Sequence, residues 1–346
     1  MMVLVTGHRG YIGSVLTPLL VREGHDVTGL DTGYFDDCTL VPDVLKVPEI
    51  RRDLRDVRAE DVEGFDAVVH LGALSNDPIG NLNTAWTEEI NTQATIRLAE
   101  LAKAAGVRRF LFSSSCIMYG MSEAAVVDET APLAPRTDYA RSKVDAEHAL
   151  AEMGDDGFAV TRLRNGTVYG LSPRMRFDTV MNDFMGSAVT RGKVVVLGDG
   201  APWRPVVHVL DLSRAFAMVL TAPLELVAGE AFNNGHEALN FRIRDLAETA
   251  VAAVPGATLE VLGEAGADQR TYQADFSKFA RTFPDFAWEW TPARGAIELR
   301  DAFLRYGVTE ADYTDAKFTR LRWLSRLMES GELDEDLRWT EAVVPA

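Results

Sequence analysis

The chain opens with a strand, a glycine turn and a helix in direct succession, and that order restricts the fold more than any other feature. Met1–Thr6 (MMVLVT) is a short apolar run that reads as a buried strand. Thr6-Gly7-His8-Arg9-Gly10-Tyr11-Ile12-Gly13 follows. Tyr11–Glu23 then sets Ile12, Val15, Leu16, Leu19 and Leu20 on one side of a helix that Gly24 stops. Glycines at 7, 10 and 13 permit a tight turn and close approach to a pyrophosphate, and the helix N-terminus supplies unpaired N–H groups and a favourable dipole. A plain strand-helix turn is the bland alternative. Placement between a strand and a helix is the context that favours dinucleotide binding.

The same alternation continues. Asp26–Leu30, Ala67–Leu71, Arg109–Ser113 and Ala159–Leu163 read as strands, and Asn91–Ala105 and Tyr139–Met153 as helices. Such βαβ units predict an α/β chain, a Rossmann doubly wound parallel sheet whose ligands bind at the C-terminal strand ends. Beyond residue 170 the pattern loosens, and Gly, Pro and Arg become frequent up to 205. Val206–Leu220 reads as a strand and helix returning to the main sheet. An apolar helix is expected near 242–253 and a charged amphipathic one near 309–330. The expected division is a Rossmann domain of 1–170 plus about 206–235. A smaller mixed α/β substrate lobe takes about 171–205 plus 236–346.

The formal net charge of −17 argues against sequence-independent nucleic-acid binding, which needs cations to replace counterions. It leaves room for an anionic small ligand in a cleft lined by a few arginines. Cys38 and Cys116 form neither a metal motif nor a disulfide framework. With no signal-peptide pattern and no apolar stretch long enough for a membrane helix, a cytoplasmic protein is expected.

Asp31, at the end of the second strand, can accept hydrogen bonds from adenosine ribose hydroxyls and would repel a 2′-phosphate, which favours NAD over NADP. Arg9 pulls the other way, as a loop cation able to meet that phosphate. Asp53-Leu54 follows the next strand and would border the adenine, although Asp53 alone suits a helix cap equally. Tyr139 and Lys143 lie one helical turn apart on a shared face. A neighbouring ammonium stabilises a phenolate, so Tyr139 becomes able to take a proton from an alcohol. The strand ending in Ser113-Ser114-Ser115 should reach the same edge as the glycine loop, with Ser115 within reach of the same hydroxyl.

These pieces, in order, resemble the extended short-chain dehydrogenase/reductase family, in its NAD-dependent nucleotide-sugar epimerase and dehydratase branch (UDP-glucose 4-epimerase-like). The matching stretches are TGHRGYIG (6–13), Asp31, Asp53-Leu54, HLGALSND (70–77), Asn91, SSSCIMYG (113–120), Tyr139 with Lys143, LRNGTVYG (163–170) and WRPVVHVLD (203–211). The resemblance implies Tyr139 as catalytic base and then acid. Lys143 would sit on the nicotinamide ribose, and Ser115 would assist at the substrate hydroxyl. It implies an NAD site of Gly7, Arg9, Gly10, Tyr11, Ile12, Gly13, Asp31, Asp53, Leu54, Leu71, Gly72, Ala73, Asn91, Ser113 and Asn165, together with Tyr139 and Lys143. Substrate contacts would come from Ser75, Ser115, Thr167, Arg204 and Arg270, the two arginines on the diphosphate, where a planar fork matches phosphate oxygens. A homodimer through the helices near 91–105 and 139–153 is also implied.

Departures from the family pattern narrow the chemistry. Related 4,6-dehydratases carry an Asp-Glu pair directly after the catalytic Ser/Thr; here stand Cys116-Ile117, and Ile117 cannot exchange protons. The Glu usual in the decarboxylases is also absent. Cys116 lies three residues before Tyr119, where an extended segment puts it on the face opposite a catalytic Cys, so it reads as a small buried hydrophobe. Thr167 replaces the Asn that usually meets the substrate phosphate, and an Asn stands instead at 165, near the nicotinamide amide. His8, His70 and His208 lack metal or triad partners and read as structural. Epimerisation of a nucleotide-diphosphate sugar at C4, through a keto-sugar, fits what remains, with C2 as a variant. An NDP-4-keto-sugar reductase with exchangeable NAD(P)H uses the same triad. A non-catalytic nucleotide sensor has no need of all three residues.

Overall fold

A computed structural model describes residues 1–42, 44–75, 83–120, 126–263 and 271–340. Its centre is a seven-stranded sheet of β1 (Met2–Thr6), β2 (Asp26–Asp31), β3 (Glu49–Arg51), β4 (Ala67–His70), β5 (Arg109–Ser115), β6 (Ala159–Asn165) and β10 (Ala231–Asn234). The spatial order is β3-β2-β1-β4-β5-β6-β10, and every pairing is parallel. The order reverses beside β1, so the strand ends open a crevice there.

The central strands β1 and β4 and the first half of β5 are largely apolar on both faces, because helices cover both. Val3 and Val5 point to one face and pack with Leu16 and Leu20 of α1 (Gly13–Arg22) and Phe216 of α5 (Val209–Thr221). Leu4 points to the other, against Leu98 of α2 (Ala94–Ala104) and Ala146 and Leu150 of α3 (Asp138–Met153). A short helix, Thr84–Thr87, and a π-helical turn, Glu88–Gln93, lead into α2, so this helix begins earlier than its apolar period suggests.

A smaller lobe stands over the C-terminal strand ends. It has a three-stranded sheet, β7 (Thr167–Tyr169), β9 (Trp203–His208) and β11 (Asn240–Arg242), and a two-stranded one, β8 (Lys193–Val196) with β12 (Thr258–Val261). Helices α4 (Val180–Arg191), α6 (Ile243–Ala253) and α7 (Pro292–Arg305) share its core of Met181, Phe184, Leu246, Leu299 and Phe303. The strand expected near Val206 therefore does not return to the main sheet. It becomes β9, between β7 and β11, and α5 and β10 make the return. The helix expected over 309–330 is also broken. Thr309 caps Glu310–Thr314, Asp315 accepts from the Lys317 N–H, and α8 (Arg320–Glu329) starts afresh. Among the described residues no helix is long and apolar enough to cross a membrane, and no group of His, Cys, Asp and Glu could hold a metal.

Candidate active site

The glycine loop and the strand ends form one wall of a deep cleft between the main sheet and the smaller lobe. Gly7 has φ +70°, and a Cβ there would stand 2.8 Å from the Gly72 nitrogen. A Cβ on Gly13 would overlap the Gly7 carbonyl oxygen and the His8 backbone. Both glycines are therefore demanded by the turn and by close packing of α1 on the sheet. No side chain caps α1 and no acid occupies its first turn. That is the cradle a dinucleotide phosphate needs. Gly7, Gly10, Tyr11, Ile12, Gly13, Asp31, Asp53, Leu54, Leu71, Gly72 and Ala73 all line the cleft.

Asp31 accepts from the Gly33 N–H at 2.8 Å and the Arg9 N–H at 3.0 Å, which fixes its carboxylate at the end of β2. The Arg9 guanidinium is not offered to a ligand: it binds Glu49 at 2.8 Å and Asp36. The cation that argued for a 2′-phosphate is thus neutralised, and Arg9 contributes through its backbone. Asp31→Ala is expected to lower the NAD over NADP preference, read as the ratio of the two dissociation constants; an unchanged ratio removes Asp31 from the adenosine site. Asp53 caps the turn Leu54–Asp56 and holds Arg55 at 2.7 Å, so it serves as cap and cleft wall together.

Ser115, Tyr139 and Ile117 share the wall beyond the glycine loop. Thr137 caps α3 and so sets the start of the turn that carries Tyr139. Lys143, one turn later, is buried beneath: its Nζ donates to the Ser113 carbonyl at 2.9 Å and lies 5.9 Å from the centre of the Tyr139 ring. Burial lowers its ammonium from the ordinary 10.5 to about 8, against the opposing pull of Glu147. Ser115 accepts from the Ile117 N–H at 3.3 Å and opens a tight turn, Cys116–Tyr119.

Two residues expected on the cofactor brace the wall from within. Asn91 is fully buried; its Oδ1 accepts from the Leu74 N–H at 2.8 Å and its Nδ2 donates to the Leu74 carbonyl at 3.0 Å. It fixes the loop after β4 and does not line the cleft. Asn165 lines the cleft, but its amide donates to the Ser113 hydroxyl and the Ser114 carbonyl, both at 3.0 Å, and its oxygen accepts from Asn234 at 2.9 Å. It positions Ser113 and offers the cleft no unengaged amide.

At the other end Ser75, Thr167 and Arg204 line the cleft. Arg204 is 6% exposed and lies over the Tyr272 ring at 5.7 Å, so it is not a surface ion pair. Arg270 falls outside the described residues. Among the cleft residues that went unforeseen are Arg176, Asp178 and Arg320. Arg176 binds Asp178 at 2.5 Å and donates to the Ser75 hydroxyl at 3.0 Å. The stretch LSPRMRFD (171–178), directly after Tyr169-Gly170, was the available signal for the first two.

Cys116 is fully buried within that tight turn, where an extended segment was expected. Burial pushes its thiol far up, and its Sγ donates to the Arg164 carbonyl at 3.1 Å. The histidines are structural. His70 sits between Thr6 and Thr95 at 2.6 and 2.7 Å, and burial lowers it to about 3, with Lys143 adding to the effect. His208 meets Glu298 at 2.8 Å and stacks on Trp290. His8 lies 3.3 Å from Glu49.

Residues 3–235 match the model of the "NAD dependent epimerase/dehydratase family". A UDP-glucose 4-epimerase of Corynebacterium glutamicum is 30% identical over 64% of this chain and 71% of its own length. A UDP-glucose 4-epimerase of Lactobacillus helveticus is also 30% identical, over 68% of this chain and 76% of its own. Among solved structures, MoeE5 in complex with UDP-glucuronic acid and NAD is 27% identical with a TM-score of 0.75, covering 88% of this chain and 99% of that one. DesIV, a dTDP-glucose 4,6-dehydratase from Streptomyces venezuelae with NAD bound, is 25% identical with a TM-score of 0.76, covering 90% and 99%. With a parallel Rossmann sheet, a glycine cradle on an uncapped helix and an acid at the end of β2, this chain belongs to the NAD-dependent epimerase/dehydratase family, and NAD is its cofactor.

Proposed function

We propose that the protein epimerises a nucleotide-diphosphate sugar at C4 of the hexose, through a keto-sugar, with NAD retained throughout the cycle. The observation that carries this reading is the makeup of one wall: Ser115 and Tyr139 stand over the buried Lys143, and beside them lies Ile117. Tyr139 takes the hydroxyl proton and later returns it. Ser115 orients the hydroxyl, and Lys143 stabilises the phenolate. Bound NAD supplies the hydride acceptor and donor this chemistry requires. An isoleucine beside Ser115 leaves that position without an acid for dehydration. The thiol of Cys116 is out of reach of any substrate, which disfavours enolisation by that residue.

Arg204 and Thr167 would receive the sugar-nucleotide diphosphate end, and Arg270 belongs to the same proposal. The UDP-glucose epimerases among the relatives support a uridine diphosphate sugar. The free, buried Cys38 and Cys116 accord with a cytoplasmic setting. A homodimer through α2 and α3 is part of the reading, and sedimentation would check it.

The test is turnover of UDP-glucose by the purified protein with no cofactor added. Formation of the C4 epimer is expected. Activity that appears only with a keto-sugar and added NADH or NADPH would make the protein a reductase instead.

The Lys143 ammonium is lost near pH 8, so kcat should fall on the alkaline side with an apparent pKa near 8. Stability moves oppositely. Between about 8 and 10.5 the unfolded chain binds the proton that the native chain has released, so this group lets stability rise with pH across that window. A kcat profile flat to pH 10 contradicts the assignment.

A further inference from the structure

Beside the cleft lies a cluster of buried arginines, two of which, Arg176 and Arg320, line it. Arg174, Arg176 and Arg320 are 7%, 6% and 2% exposed. Asp178 binds the Arg176 side chain and accepts from the Arg320 backbone N–H at 3.1 Å. Asp36, near Arg174, is shared with Arg9 and Arg51. Arg320 donates one Nη to the Arg174 carbonyl at 2.7 Å and lies over the Phe35 ring at 4.5 Å. Its other nitrogen, Nη1, is buried with no hydrogen-bond partner among the described residues. A buried guanidinium nitrogen left unpaired is costly, so it calls for an anion.

The surroundings say which end of the cleft this is. Tyr11 of the glycine loop is hydrogen-bonded to the Asn182 amide at 3.0 Å, and the same amide holds the Arg176 carbonyl at 3.1 Å. The charges of Arg176 and Arg320 both act on the Tyr11 phenol. Phe35, under Arg320, belongs to the loop that follows Asp31. The two arginines thus line the cleft near the Tyr11 side chain.

Arg320 is brought there by the C-terminal segment, which lies beyond the stretch matched by the family model. Trp323 donates to the Tyr34 carbonyl at 2.6 Å, and Trp339 to the Thr32 carbonyl at 2.8 Å. The Tyr34 hydroxyl donates to the Leu337 carbonyl, and Arg338 binds Asp56. The segment is clasped to the loop that lines the adenosine end.

We propose that Arg320 binds the diphosphate of the dinucleotide cofactor and that the C-terminal segment thereby holds NAD in place. The proposal rests on the NAD-retaining reading above and supplies its structural means. A diphosphate also occurs in the sugar nucleotide, so the experiment separates the two sources.

The experiment compares wild type, R320Q and R320K as full-length proteins. It reads NAD released per chain on denaturation, the dissociation constant of NAD for stripped protein, and the KM for UDP-glucose with NAD saturating. For R320Q the expected result is loss of retained NAD and a dissociation constant raised by about ten- to a hundredfold, the loss of one charge-assisted contact. The KM should stay within about twofold on that basis, with R320K intermediate because it keeps charge and loses the fork. Unchanged NAD content and affinity overturns the proposal. A raised KM with normal NAD binding overturns it too, and assigns the guanidinium to the substrate. If R320Q does not fold, R320K carries the same comparison. If wild type binds NAD yet epimerises no nucleotide sugar, the functional reading fails while the affinity comparison still decides the role of Arg320.

Discussion

Tyr139→Phe should lower kcat by about a thousandfold, the scale of a lost acid/base group, while NAD content and affinity hold. The ring stays, so packing against the cleft wall stays, and only the hydroxyl that exchanges the proton is gone. Three described residues near that hydroxyl in sequence or space cannot take its place. Ile117 is apolar. Cys116 is buried away from the cleft with its thiol pushed far up. His70 is closed in by Thr6 and Thr95. Retention of more than a tenth of the activity would sink the role given to Tyr139.

The second large effect lies under the site. Glu147 is 1% exposed and holds Arg164 through Nε, at 3.1 Å to each carboxylate oxygen, and through Nη2 at 2.8 Å. Arg164 continues to the Tyr119 hydroxyl at 2.9 Å and the Glu129 carbonyl at 3.0 Å, and Tyr119 donates to Asn233 at 2.6 Å. Glu147→Ala leaves a guanidinium buried and uncompensated, for which a loss of about 3–5 kcal/mol is expected. The midpoint of urea unfolding reads it. Glu147→Gln should cost less in stability and moves the chemistry as well. Because Glu147 holds the Lys143 ammonium up, removing its charge should shift the alkaline limb of kcat to lower pH. A destabilised variant with an unmoved limb would separate the two residues.

The parts readable in the chain are those whose signal is local. The first strand, glycine loop and helix announce themselves because their geometry depends on neighbours in sequence. The one-turn spacing of Tyr139 and Lys143 is equally local. Strand ends were less readable. Apolar residues stop at Phe112, yet the ladder with β6 continues through Ser113, Ser114 and Ser115, since hydrogen bonding there needs no apolar side chain. Val206–Leu220 reads as a strand and helix, but periodicity does not name a partner, and β9 pairs outside the main sheet. Arg9 reads as a loop cation; that Asp36 and Glu49 neutralise it is a fact of tertiary packing. Arg320 is the extreme case. In sequence it is one charge on a charged helix, and only the docking of Trp323, Leu324 and Leu327 beside Tyr34 and Trp86 turns it into the cleft.

In the proposed cycle one retained cofactor carries the sugar through oxidation and back. Proton NMR of the purified protein in heavy water, with a panel of UDP-, dTDP-, GDP- and CDP-hexoses and no added cofactor, tests it most directly. A C4 epimer with no deuterium bound to carbon is expected. Deuterium at the carbon beside the keto group, or no turnover until a reduced cofactor and a keto-sugar are supplied, would contradict it.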